Sequence, residues 1–454
     1  MPAGGGSIDS LDSYRESGGL RGYERARKLG PAGVIDELRD SGLRGRGGAG
    51  FPTATKWGGI FNAEAERKFV CCNAAEGEPG TFKDRYLLRT NPYPTLEGLA
   101  IEIAVFEPEA AYICLKESFK PEIARVQKAL DELRPVLPEL QRLEIVLGPD
   151  EYLYGEEKAM LEVIEGGLPL PRVFPPYIHG LFAGAYGGPG DKMNNPTVVN
   201  NVETLAHVPG IIANGASWFR ELGSDESPGT MIFTVSGDIK VPVVAELPLG
   251  LTLRELIHDH AGGPVSGDVR AVFPGVANAV ATPALLDTPL GFDSMKQAGS
   301  ALGSAGFIVY DETACLARVA YLFSRFLFVE SCNQCPPCKI GSRRITELLE
   351  KLLQDEADEA DLEEIHATTT WVENGQRCYL ASSEALVIAS TLAFYPDDFR
   401  AHLTGDCKRR HDMPLPKMVD YIAGQGFKFD ERYLRKLPDW SYLRRAQGKL
   451  FDVI

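Results

Sequence analysis

Lys68-Phe69-Val70-Cys71-Cys72, Ala111-Tyr112-Ile113-Cys114-Leu115 and Leu143-Glu144-Ile145-Val146-Leu147 are three short, mostly apolar runs. The segments between them, Thr95–Phe106 and Pro121–Leu133, have the apolar spacing of helices. Strand, helix, strand, helix, strand at this interval predicts a parallel α/β sheet with Rossmann-like layering. A further helix is expected over Glu156–Ile164. Upstream, Val34, Ile35 and Leu38 mark a short helix that starts at Pro31 and stops near Gly42. Gly4–Gly6 and Gly18–Gly22 predict a loose leader over residues 1–30.

Downstream, the composition turns loop-like at Gly223–Gly229. Beyond it, Met231–Ile239 and Val243–Leu247 read as a hairpin, Thr252–His260 as a helix and Val269–Phe273 as a strand. That β-β-α-β order suits a small ubiquitin-like (β-grasp) sheet. From Glu312 the pattern is helical, with a stripe of Ile345, Leu348, Leu349, Leu352 and Leu353, and predicts a bundle. The expected divisions are a leader (1–30), an α/β domain (31–225), a β-grasp domain (226–310), a helical domain (311–404) and a surface tail (405–454).

The 454 residues are 44% hydrophobic and 24% charged, which fits a globular chain of two to four domains. A net charge of −16 argues against binding nucleic acid or an anionic membrane. No run approaches the ~20 apolar residues of a membrane span, and the first residues lack a basic, then apolar, export signal. The nine cysteines are therefore expected to be reduced thiols or metal ligands in a cytoplasmic protein. Attachment to an inner membrane would come through partners, without direct insertion.

Cys332, Cys335 and Cys338 are spaced C-x2-C-x2-C, and Cys378 follows some forty residues later. Three thiolates on one turn plus a distant fourth suit a [4Fe–4S] cube. Zinc is the alternative, although zinc ribbons pair two short knuckles. Pro336 and Pro337 stiffen the loop before a helix expected near Lys339. Cys71, Cys72, Cys114, Cys315 and Cys407 lack such spacing, and the first three read as packing residues on strands. None of the seven histidines pairs recognisably with an acid and a nucleophile.

Gly45-Arg46-Gly47-Gly48-Ala49-Gly50 satisfies G-x-G-x-x-G, but a helix precedes it and Phe51-Pro52-Thr53 is a poor helix entry, so the dinucleotide fingerprint is rejected. Its backbone could still hold an anion, with Arg44, Arg46 and Lys56 nearby, or it could be a plain turn. Asn73-Ala74-Ala75-Glu76-Gly77-Glu78 and the residues up to Arg85 follow a strand, where ligands sit in α/β sheets. Gly155-Glu156-Glu157 and Asn200-Asn201 are further polar clusters at element ends.

Together these pieces resemble the NADH-binding flavoprotein subunit of respiratory complex I and the diaphorase subunits of NAD-linked hydrogenases and formate dehydrogenases. Five motifs agree in order: residues 42–53, residues 78–85, Gly155-Glu156-Glu157, Asn200–Ala206, and the cysteine element from Glu330 to Cys338. The resemblance implies an NADH dehydrogenase in which hydride passes from NADH to FMN and single electrons continue to the [4Fe–4S] cluster. It implies FMN and NAD(H) sites on the α/β domain and the cluster on the helical domain. Gly45, Arg46, Gly47, Gly48, Lys56, Asn73, Tyr152, Glu156, Asn200, Asn201 and Thr204 would hold FMN. Phe51 would stack the adenine, Glu78 and Glu157 would line the NADH pocket with Tyr177 nearby, and Glu76 and Glu78 would be the catalytic carboxylates. The implied partners are a thioredoxin-like [2Fe–2S] subunit and further redox subunits.

The chain departs from that pattern in four places. Ala75 replaces an aspartate, and Gly59 stands where complex I has an aromatic. Phe174 replaces a lysine and Tyr177 a phenylalanine, beside an insertion over residues 178–194. A lost stack is worth ~0.5–1.5 kcal/mol and a lost charge-assisted hydrogen bond ~1.5–3 kcal/mol. Arg172 or Lys192 could supply the missing charge. A noncatalytic FMN/iron–sulfur relay or scaffold that has lost NADH binding is the alternative.

Overall fold

The computed structural model describes residues 6–184 and 191–443. Part of the insertion over residues 178–194, the first residues of the leader and the last of the tail lie outside these. The three apolar runs form β1 (Phe69–Ala74), β2 (Ala110–Lys116) and β3 (Leu143–Gly148), and a fourth strand, β4 (Thr197–Asn201), joins them. The order is β3-β2-β1-β4, and every neighbouring pair is parallel. Side chains along β1 alternate between two covered faces, as a parallel sheet requires. Val70, Cys72 and Ala74 pack under the helices Tyr93–Phe106 and Val202–Asn214, whereas Phe69 and Cys71 pack with Met160 and Leu161 of the helix Glu157–Ile164.

The chain steps outward from β1 to β3 and returns on the other side of β1 as β4. Strand order therefore reverses between β1 and β4, which opens a crevice at their carboxyl ends. Asn73 of β1 stands opposite Asn201 of β4 at that point.

From Leu11 onward, the leader expected to be loose is mostly helical instead. Leu11–Glu16 and Arg21–Ser41 are helices, and Tyr14 and Tyr23 are buried. Glu97 anchors them from inside the core, accepting bonds from the Tyr14 hydroxyl at 2.6 Å, the Leu20 amide at 2.8 Å and the Tyr23 amide at 2.9 Å. Gly22 is needed for packing: a Cβ there would lie 2.4 Å from the Pro209 carbonyl oxygen. Gly98 is tighter still, with the Leu205 carbonyl oxygen 2.0 Å from where its Cβ would be. Gly98→Ala is accordingly expected to cost about 1–3 kcal/mol by overpacking, read as a lowered urea midpoint with unchanged m-value.

The second sheet comprises β5 (Thr230–Gly237), β6 (Val243–Pro248), β7 (Val269–Pro274) and β8 (Gly306–Asp311), in the order β6-β5-β8-β7. β5 and β8 run parallel at its centre and the outer pairs are antiparallel, the β-grasp arrangement. The β-β-α-β reading stops short of β8, which is buried along its whole length. Five helices follow: Leu316–Glu330, Pro336–Leu353, Glu359–Thr369, Leu380–Phe394 and Pro396–Leu403.

The segment after Gly405 does more than lie across a surface. Its hairpin, β9 (Met418–Ile422) with β10 (Gly426–Phe429), sets Tyr421 and Phe427 within 6.4 Å of the Phe82 ring. Arg85 and Arg89 bond it through Met418, Val419 and Asp420. Lys417 and Lys436 reach Glu330, which is fully buried in the bundle. No helix among the described residues is long and apolar enough to cross a membrane.

Candidate functional site

The crevice between β1 and β4 deepens into a cavity of about 900 Å³, roofed on one side by loops of the β-grasp sheet. Its lining carries both signs of charge, which meet where Lys56 comes within 3.8 Å of Glu157. The basic end holds the glycine loop, Arg44 and Lys56. Bonds from the Gly45 amide to the Phe51 carbonyl and from the Thr53 amide to the Leu43 carbonyl close that loop into a hairpin. Gly48 and Gly50 adopt φ of 124° and 61°, which side chains disfavour. A helix, Thr53–Phe61, does follow directly, contrary to the reading of Phe51-Pro52-Thr53 as a poor entry. The element before the loop is a helix and not a strand, so the fingerprint still fails.

The amino ends of the helices Thr53–Phe61 and Val202–Asn214 also face this end, through Thr53 and Thr204. The buried Thr53 hydroxyl has no partner among the described residues. Backbone amides, two helix amino ends and two cationic side chains suit an anion there, with Arg44 paired to Asp293 at 2.8 Å and Lys56 bonded to the Val199 carbonyl at 2.9 Å.

The acidic side adjoins the basic end at Glu157. Glu78, Glu156 and Glu157 line it beside Tyr152. The Tyr152 hydroxyl donates to Glu78 at 2.6 Å and the Val276 amide donates to its other oxygen at 2.7 Å. Burial raises the Glu78 carboxyl, and these two bonds oppose the rise. Glu156 caps the helix Glu157–Ile164 by accepting the Lys158 and Ala159 amides at 3.0 Å, and burial lifts it to about 7. Asn73 donates to the Gly155 carbonyl at 2.8 Å, fixing this loop to the end of β1.

The cavity brings together Gly45, Gly47, Gly48, Phe51, Lys56, Asn73, Glu78, Tyr152, Glu156, Glu157, Asn200, Asn201 and Thr204. Three other expected site residues lie elsewhere. Arg46 is buried away from the cavity, its guanidinium bonding the Arg44 and Pro228 carbonyls, so it braces the loop from behind. Glu76 lines a side chamber of about 250 Å³, where it accepts the Asp84 and Arg85 amides. Burial first, then Asp84, raises it to about 7. Tyr177 is 61% exposed and borders neither space. Phe174 is also exposed, and Arg172 is committed to Glu162 and Glu165.

Sequence reasoning missed the β-grasp contribution to the lining: Pro274, Asn278, Phe292, Lys296 and the stretch 299–304. The glycines at 299 and 303 were the available signal. Lys83, which the sequence placed in the run up to Arg85 without a role, borders the side chamber, ion-paired with Asp84 and Glu203 at 2.8 Å and bonded to Asn201 at 3.2 Å.

The side chamber leads from Tyr152 and Glu156 to Cys378 and Leu380. On its far side Cys332, Cys335, Cys338 and Cys378 line one small cavity with Leu153 and Leu380. Cys335 caps the helix Pro336–Leu353, which begins three residues earlier than expected, and Cys338 sits in its first turn. The Ser331 hydroxyl lies 3.4 Å from the Cys338 sulfur, and the Gln334 amide donates to Cys332 at 3.5 Å.

Two family models match the chain: the Nuo51 FMN-binding domain over residues 38–210, and the NADH-ubiquinone oxidoreductase-F iron-sulfur binding region over residues 318–402. The NADH-quinone oxidoreductase F subunit 2 of Rhizobium meliloti (strain 1021) is 37% identical over 407 residues, spanning 87% of this chain and 94% of that protein. The chain belongs to the family of NADH-quinone oxidoreductase F subunits. NADP-reducing hydrogenase subunit HndC of Solidesulfovibrio fructosivorans is 34% identical, covering 87% and 81% of the two chains. A crystal structure of NAD+-reducing [NiFe]-hydrogenase in the H2-reduced state superimposes with a TM-score of 0.76 at 32% identity, over 87% of this chain and 67% of that one.

As a member of this family the chain has an FMN-binding domain and an iron–sulfur binding region. The residues present fit both groups. The cavity has the size of a cofactor site, an anion site for a phosphate and an unpartnered hydroxyl facing inward. Four thiols converge with no other ligand type, as a cubane cluster requires.

Proposed function

We infer that the chain oxidises NADH as an FMN- and iron–sulfur-dependent dehydrogenase of the diaphorase type and delivers the electrons to partner redox subunits. The observation that carries this reading is adjacency: the main cavity shares the walls Tyr152 and Glu156 with the side chamber, and the side chamber shares Leu153, Cys378 and Leu380 with the cavity of the four cysteines. When bound, the flavin exchanges a hydride for single electrons and the cluster relays them one at a time.

The protein's own part is placement and charge. The amides of the glycine loop, the two helix amino ends and Lys56 would hold the FMN phosphate, and Asn73, Asn200, Asn201 and Thr204 the rest of the cofactor. Phe51, half exposed at the cavity mouth, offers its face to an adenine. Glu78, Glu157 and Tyr152 would line the nicotinamide side, and Cys332, Cys335, Cys338 and Cys378 would hold the cluster. Arg46 acts as a positioning residue. Glu76 orients the helix Lys83–Thr90 by capping its first amides, which argues for support in place of chemistry.

None of the four departures from the family pattern lines the main cavity. Gly59 faces open space, Phe174 and Tyr177 lie outside the cavity, and at position 75 the backbone amide still bonds Asn73. The relay reading is therefore the weaker one. Anaerobic titration with NADH decides between them: flavin bleaching at roughly micromolar NADH is expected, and no bleaching at roughly millimolar NADH would sink the dehydrogenase reading. Lys56→Met should weaken FMN binding by about 10- to 150-fold, corresponding to the ~1.5–3 kcal/mol of a charge-assisted bond, measured by flavin fluorescence quenching. A thioredoxin-like [2Fe–2S] subunit is the proposed immediate partner, on the cytoplasmic side of an inner membrane where the assembly is membrane-bound.

A further inference from the structure

A second sulfur-rich centre lies at the far end of the bundle, away from the four cysteines already described. Cys315 caps the helix Leu316–Glu330, and His402 ends the helix Pro396–Leu403. Cys407 and His411 come from the loop that follows. Their ligand atoms all lie within 4.8 Å of one another, with Cys315 and His402 buried and the other two half-buried. We propose that Cys315, His402, Cys407 and His411 bind one zinc ion in a closed, tetrahedral, structural site.

Three geometric facts carry the proposal. First, the edges match. With Zn–S near ~2.3 Å and Zn–N near ~2.05 Å, a tetrahedron places two sulfurs about 3.8 Å apart and a sulfur and nitrogen about 3.5 Å apart. The Cys315 and Cys407 sulfurs are 3.8 Å apart, Cys315 Sγ to His402 Nε2 is 3.4 Å, and Cys407 Sγ to His411 Nε2 is 3.3 Å. Second, the outer bond is present. His402 Nδ1 lies 3.0 Å from the Asp355 carboxylate, which fixes the tautomer and leaves Nε2 as the donor, as carboxylate–histidine–metal sites do. Third, the backbone is built to bring the loop in. The Arg410 amide donates to the Thr313 carbonyl at 2.8 Å and the Cys315 amide to the Arg410 carbonyl at 3.1 Å, a two-way stitch beside the four ligands.

Two cysteines alone could form a disulfide, whose sulfurs would be ~2.05 Å apart. Two imidazoles converging on the same pair, one held by a carboxylate, point to an ion. Mixed N2S2 tetrahedral donors suit zinc. The ion would fasten the segment after Leu403 to the start of the helix Leu316–Glu330, and so hold in place the strand pair and the lysines that follow.

The test uses the full chain purified anaerobically. Metal analysis should give about one zinc beside about four irons per chain. Cys407→Ser and His411→Ala should each lower zinc below about a tenth per chain while iron and FMN stay unchanged. Replacement by Co(II) should yield sulfur-to-cobalt charge-transfer absorption of a tetrahedral site. Zinc below about 0.2 per chain in the unaltered protein, zinc retained by both variants, or a Cys315–Cys407 disulfide in peptide mapping each overturns the proposal. Should either variant fail to fold, the zinc content and cobalt spectrum of the unaltered protein decide.

Discussion

Glu330→Ala is expected to destabilise the protein by about 3–5 kcal/mol, the cost of removing one partner from a buried charge cluster. Glu330 accepts Lys436 at 2.9 Å and the Tyr152 amide at 3.0 Å, with Lys417 at 3.5 Å. Alanine would leave two ammonium groups and an amide unpaired around a position that is fully buried. Burial opposes ionisation of this carboxyl, but Lys417 and then Lys436 outweigh it and hold it at about 2. An unfolded glutamate titrates near ~4.3. The folded value is the lower one, so the stabilisation is complete above about pH 4.3 and drains as pH falls towards 2. Urea denaturation of the unaltered protein should show this loss, about 3 kcal/mol in all, and Glu330→Ala should lack it. A variant with unchanged midpoint at neutral pH would show that the lysines escape to solvent. Because the Tyr152 amide hangs on Glu330 while its hydroxyl holds Glu78, NADH oxidation should also fall before the protein unfolds.

Cys338→Ala should abolish the four-iron cluster. The sulfur is buried in the first turn of the helix Pro336–Leu353, and no spare thiol among the described residues lines that cavity to take its place. Iron is expected to fall from about four to about three or fewer per chain, with loss of the reduced-cluster EPR signal. FMN content should hold, since neither the glycine loop nor Lys56 lines the cavity of the cysteines. Iron near four with an unaltered EPR signal would remove Cys338 from the ligand set. Zinc at the Cys315 centre should also persist, which separates the two metal sites.

The parallel sheet was legible because β1 and β2 are mostly apolar on both faces and helices separate β1, β2 and the half-exposed edge strand β3. β4 was not, because its five residues end on two asparagines that serve the crevice. The leader hid its helix for a packing reason: Gly22 sits in the helix because Pro209 leaves no room for a side chain, and Gly30 breaks the helical backbone with φ 69° and ψ 172°. Local sequence reads such glycines as looseness. The acidic and glycine-rich walls of the cavity came from contiguous motifs and could be named in advance. Its roof, Phe292 and the stretch 299–304, comes from a different sheet and joins only on folding. Cys315 and His402 stand 87 positions apart, so no spacing rule could pair them.

Residues 405–443 are synthesised after everything they tie together. On a nascent chain the bundle can gather its cysteines while Glu330 still lacks both lysines and the strand pair over Phe82 is still to come. The Tyr152–Glu330 and Gln334–Pro171 bonds can join the flavin side to the bundle before then, and the two lysines add their charge to that joint only when translation has passed Lys436.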